Sequence, residues 1–141
     1  MPAATLIGKW TYRSFLNNPA PTDGDPQKLA DLLFAEAVFT FQLPTSGTLK
    51  GAIDWQGGGL DLEGTVREDP AGDGASVEIV GTGRAGTGTD GWEYDYNGRL
   101  AHTWPNGVNQ VPALVGTVIR AKPHNGAPAG VVASFIAMKQ P

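Results

Sequence analysis

Between Gly91 and Trp104 the chain reads Gly-Trp-Glu-Tyr-Asp-Tyr-Asn-Gly-Arg-Leu-Ala-His-Thr-Trp, its densest run of groups able to hold a small molecule. Asn97-Gly98 could form a two-residue type I′ turn, which would put Glu93 and Asp95 on one face with Leu100, His102 and Trp104. A three-residue loop over Tyr96–Gly98, with Gly98 left-handed in a bulge, instead pairs Asp95 with Arg99, Tyr94 with Leu100 and Trp92 with His102. A slip of one residue turns every side chain over, so the hydrophobic pattern decides the register. It favours the bulged hairpin, in which Trp92, Tyr94, His102 and Trp104 share one face. Tyr12 and Phe39 point to the same interior from other strands. Aromatic bodies with a few polar tips suit a small-molecule cavity. The same side chains are also ordinary core material and could simply fill a barrel.

Other chemistry finds little support. The chain has two histidines, His102 and His124, and no cysteine, so disulfides and thiolate ligands are excluded and no paired-histidine metal motif occurs. A single histidine between tryptophans is more often a hydrogen-bonded structural group than a base, and His124, in Pro-His-Asn-Gly, reads as a solvent-exposed turn residue. Gly81-Thr-Gly-Arg-Ala-Gly86 matches a dinucleotide fingerprint, but no helix follows it to hold a phosphate. No catalytic residue, cofactor or metal is expected.

The elements that must position these groups are strands. Apolar and polar residues alternate along Thr5–Leu16, Ala35–Leu43, Thr48–Trp55, Leu60–Arg67, Ser76–Ala85, Thr89–Asp95, Arg99–Trp104, Ala113–Lys122 and Val131–Lys139. In Thr48–Trp55, for example, Leu49, Gly51, Ile53 and Trp55 oppose Thr48, Lys50 and Asp54. Gly-, Pro- and Asn-rich turns separate nearly every pair. Asp25 as N-cap and Pro26 at the first helical position predict one short helix over residues 26–32. Strands joined by short loops pair antiparallel, and closing such a meander removes its edges. Residues 1–141 therefore read as one all-β domain, an up-and-down barrel of eight or nine strands, with mid-strand glycines marking its sharp coiling.

Composition narrows the partners. Of 141 residues, 40% are hydrophobic and 17% charged, enough apolar content to fold and too little charge for a disordered chain. A net charge of −4 argues against a nucleic-acid or anionic-membrane partner, and no apolar run reaches the length of a membrane span. All fourteen acids lie in residues 1–96, while Arg99, Arg120, Lys122 and Lys139 follow with no acid among them. With no signal peptide at Met1–Ile7, a cytoplasmic address is the default expectation.

Gly8-Lys9-Trp10, opening the first strand, resembles the Gly-x-Trp signature of the calycin barrels, which include avidins and lipocalins. Ser46-Gly-Thr-Leu-Lys-Gly-Ala-Ile-Asp54, containing Gly47–Gly51, is similar to the third strand of avidin-like proteins. The resemblance implies a ligand-binding barrel, with Trp10 structural and Arg120 packed across it at the closed end. It does not extend to biotin, because the polar positions expected after Trp10 are here Tyr12 and Leu16. Calycin-like barrels also include isomerases, cyclases and decarboxylases; Tyr12, Tyr94 and His102, with Glu36 if its strand were turned over, would then move protons.

The preferred expectation is a non-enzymatic barrel taking a small apolar or aromatic ligand among Tyr12, Phe39, Trp92, Tyr94, His102 and Trp104. A homo-oligomer through residues 113–139 is also expected. There Leu114 and Val118 oppose Val115 and Ile119, and Val131 and Phe135 oppose Val132, Ile136 and Met138. Strands apolar on both faces are buried on both. The outer face would form a patch on the order of 500 Å².

Overall fold

The computed structural model describes residues 2–18, 20–71 and 74–141. Pro19, Gly72 and Asp73 lie outside the described residues, and so does Met1 of the Met1–Ile7 segment. Eight strands, β1 (Gly8–Leu16), β2 (Leu33–Thr45), β3 (Thr48–Trp55), β4 (Gly58–Glu68), β5 (Ala75–Gly83), β6 (Glu93–Leu100), β7 (Ala113–Arg120) and β8 (Val132–Lys139), form an antiparallel meander. It closes into a barrel where β8 pairs with β1, Tyr12 opposite Ala137. A helical turn α1 (Pro26–Ala30) precedes β2, and the Asp25 carboxylate accepts from the Gln27 backbone N–H at its start. No helix among the described residues is long and apolar enough to cross a membrane.

The expected hairpin at Asn97-Gly98 does not form, and this removes the ninth strand. β6 runs straight through both residues, pairing Asn97 with Glu78 and Thr117, and Gly98 with Val77 and Gly116. Neither residue takes the positive φ that a tight turn demands. A straight strand keeps Tyr94, Tyr96 and Leu100 inward and satisfies the backbone on both sides. A turn at this point would sacrifice one ladder and bury less.

Alternation places Trp10, Tyr12, Phe39, Phe41, Leu49, Ile53, Leu62, Ile79, Tyr96, Leu114, Val118 and Phe135 inside, all at most 4% exposed. One end is closed by a 3₁₀ turn (Ala3–Leu6) that drops Leu6 into the barrel. There the Trp10 indole N–H donates to the Leu6 carbonyl at 2.9 Å, and Lys139 Nζ donates to the Thr5 carbonyl at 2.7 Å. The wall coils tightly beside inward glycines. A Cβ at Gly116 would lie 1.9 Å from the Asn97 carbonyl oxygen, so only glycine lets β6 and β7 approach as they do.

Candidate functional site

The opposite end is open. The core stops near Tyr12, Tyr96 and Val118, and above it lies a cup of about 580 Å³. Ala35 of β2 lines it, and the small inward residues Ser14 and Ala37 follow Tyr12 and Phe39 toward this end. The cup lies within the ~300–1,000 Å³ range usual for small-ligand sites.

Its wall is aromatic. Trp55, the last residue of β3, lies with its ring plane within 19° of Trp92, centroids 6.1 Å apart. Gly58 makes this possible, since a Cβ there would come 2.7 Å from the Trp55 indole nitrogen. Trp92 sits at the end of the β5–β6 loop. Arg84 fixes that loop, bonding Asp54 at 2.8 Å and Asp61 at 3.0 Å, as does the buried Thr89 hydroxyl, which donates to the Gly59 carbonyl at 2.8 Å. On Trp92 lies the His124 imidazole, centroids 3.6 Å apart and planes within 13°. The row Trp55, Trp92, His124 thus spans one side of the mouth, with Phe34 of β2 also lining the cup.

The exposed turn expected for His124 is corrected by the hairpin that carries it. Asn125 and Gly126 both have positive φ, and His124 and Ala127 exchange backbone hydrogen bonds of 3.1 and 2.7 Å. This is a two-residue loop of the type I′ kind, and it folds the β7–β8 connection back over the cup. The two-residue Asn-Gly turn, disfavoured by the hydrophobic pattern at Asn97-Gly98, forms here instead.

A hydrogen-bonded chain crosses this end of the barrel. Arg120 Nε donates to the Tyr94 hydroxyl oxygen at 2.9 Å, and that hydroxyl lies 2.7 Å from His124 Nε2. With its oxygen accepting from Arg120, the phenol is free to donate to a neutral imidazole. Burial, and then the nearby Arg120 charge, lower the His124 pKa below its ordinary value, which supports the neutral form. Arg120 also lies over the Phe34 and Tyr94 rings, 5.4 and 5.7 Å from their centroids. Burial raises the pKa of Tyr12 and Tyr96, which keeps both phenols protonated at neutral pH.

Of the six residues expected to line a ligand site, Tyr12, Trp92 and Tyr94 line the cup. Phe39 is fully buried below it, stacked on Phe41 at 4.7 Å. His102 and Trp104 are elsewhere. They depended on the hairpin, and with β6 straight they fall in the loop after Leu100, where Trp104 is 69% exposed and bonds Gln110 through its backbone. This correction also takes His102 out of any interior proton-transfer set. Arg120 is a further correction: it stands at the open end, while Trp10 is at the closed end, so it does not pack across that tryptophan.

The sequence reading missed Phe34 and His124 as site residues, and passed over Trp55. Trp55 was signalled by its inward position on the third strand, and His124 by the Asn-Gly pair beside it. Among the described residues no group of three His, Cys, Asp or Glu side chains could hold a metal ion. No protein-family model, curated protein or solved structure matches the chain.

Proposed function

We propose that this protein is a small-molecule binding barrel, its ligand a partly apolar, planar compound held in the open cup. The observation that carries the reading is the half-filled interior. The closed end is filled by fully buried side chains such as Leu6, Trp10 and Phe41, whereas the upper barrel keeps an accessible volume walled by Trp55, Trp92 and Tyr94. Apolar walls with few, fixed polar groups are the usual construction of ligand sites. The meander barrel and Gly8-Lys9-Trp10 support a calycin-like kinship, in which such a cup is the ligand site. Titration with a library of planar aromatic compounds, following tryptophan emission, tests the proposal. A binder should change the emission, and the change should vanish in Trp92→Phe. Unchanged emission across the library would overturn it.

We also propose that two copies pair through the outer face of β7 and β8. Val115, Val132, Ile136 and Met138 are each 38–47% exposed, and Val115 sits opposite Ile136 in the ladder. Phe15, 42% exposed on neighbouring β1, extends the face toward the ~800 Å² per partner that stable interfaces bury. A twofold axis would set this patch on itself. Sedimentation should give twice the 14.7 kDa chain mass, and Ile136→Glu should return the monomer. A wild-type monomer at micromolar concentration would refute the pairing.

A further inference from the structure

We infer that the ligand is a planar aromatic acid, its carboxylate met by Arg120 and its ring system lying along Trp92. The inference rests on the cup being a ligand site, and goes on to assign the charge of the ligand.

Arg120 is the cation of the cup. Its Nε is committed to Tyr94 and its Nη1 donates to the Pro128 carbonyl at 3.2 Å, which fixes the plane of the guanidinium. Nη2 has no hydrogen-bond partner, and no carboxylate pairs with Arg120, among the described residues. Glu36, which also lines the cup, pairs with Arg13 at 3.5 Å, and Glu93, beside Tyr94, pairs with Lys122 at 3.6 Å. A half-buried guanidinium held in place without a counter-charge, beside an apolar wall, is a site for an oxyanion. Tyr12 and Tyr96 line the floor, their phenols kept protonated by burial. The aromatic row supplies the complementary flat surface, and stacking favours a conjugated ring over an aliphatic chain. Aliphatic acids and neutral aromatics each satisfy only half of this arrangement.

The test is calorimetric binding of naphthoate and of naphthylmethanol, one ring system with and without the carboxylate, to the full chain and to Arg120→Met and Arg120→Lys. In the wild type naphthoate should bind about tenfold or more tightly than the alcohol, the scale of one charge-assisted contact. Arg120→Met should erase that preference, and Arg120→Lys should keep part of it. Equal binding of the two probes by the wild type would overturn the acid assignment and leave the cup reading standing. A preference that survives in Arg120→Met would also overturn it. Binding of neither probe would count against the cup itself. Should Arg120→Met fail to fold, the wild-type preference and its reduction in Arg120→Lys decide the question.

Discussion

The two ends of this barrel use the same strands and the same inward alternation, yet one is solid and the other hollow. Read from the closed end upward, the inward positions run Trp10, Tyr12, Ser14 on β1, Phe41, Phe39, Ala37 on β2, and Leu114, Gly116, Val118, Arg120 on β7. Bulk gives way to small groups toward the open end on β1 and β2, while β3 and β6 carry Trp55 and Tyr94 there as walls of the cup. At the closed end the Trp10 indole N–H is satisfied by the Leu6 carbonyl and the Lys139 ammonium by the Thr5 carbonyl. At the open end, hydroxyl, imidazole and guanidinium groups are tied to each other across three elements. A barrel of this size has room to be either packed or hollow, and side-chain volume along each strand sets where one gives way to the other.

The comparison breaks most severely through the wall. Gly116→Val would drive a side chain into the Asn97 backbone, and a rigid neighbouring strand cannot yield as a flexible side chain can. A loss of about 3 kcal/mol or more is expected from denaturant unfolding. Gly126→Ala, in the rim hairpin, meets no atom within 4 Å and costs only its left-handed φ, about 1 kcal/mol. Equal losses at the two sites would show that wall and rim are not distinct in the way described.

Truncating aromatics sharpens the contrast. Phe41, 1% exposed and packed between Trp10 and Phe39, should cost about 3–5 kcal/mol as Phe41→Ala. Phe34→Ala at the lip already borders open volume and should cost about 1 kcal/mol. Its larger consequence would be on ligand affinity. If Phe34→Ala were as destabilising as Phe41→Ala, the cup would be part of the core rather than a vessel resting on it.

The wall of this molecule was far more legible in its sequence than the cup. Leu60–Arg67 alternates so regularly that strand, face and register follow from it, and antiparallel closure follows from short loops. The site depends on what tight turns do, and Asn-Gly is ambiguous there. At 125–126 the pair is flanked by residues with no other ladder to join, so it turns and delivers His124. At 97–98 it lies between two partner strands, and pairing on both sides outweighs local turn preference. The positions of His102 and Trp104 follow from which of these two outcomes holds. Arg120 is legible as a strand residue, but the end of the barrel it reaches is not. Which end of a strand opens depends on the 3₁₀ plug and the rim loops, and neither has a periodicity to read.

The smallest expected effect concerns protonation at the open end. His124 is stacked on Trp92, faces the Tyr94 hydroxyl and lies near Arg120, while Glu93, the nearby acid, is held by Lys122. Its pKa lies below the ordinary 6.5 in the folded chain, through burial first and the Arg120 charge second. The unfolded chain therefore takes up this proton first. The stability that neutral His124 contributes is present above about pH 6.5 and is lost as pH falls through the lower folded value. His124→Gln removes this contribution, so its unfolding midpoint should fall less than the wild type's between about pH 7 and pH 5. In a His102→Gln background, the remaining imidazole resonance should titrate below 6.5. Titration at or above that value would mean the imidazole is neither buried nor near a cation. Saturating naphthoate should move the midpoint upward, because a carboxylate beside Arg120 offsets the charge that opposes protonation. An unmoved midpoint with naphthoate bound would place the acid away from Arg120, and with it the hollow end would lose its cation as the reason for being hollow.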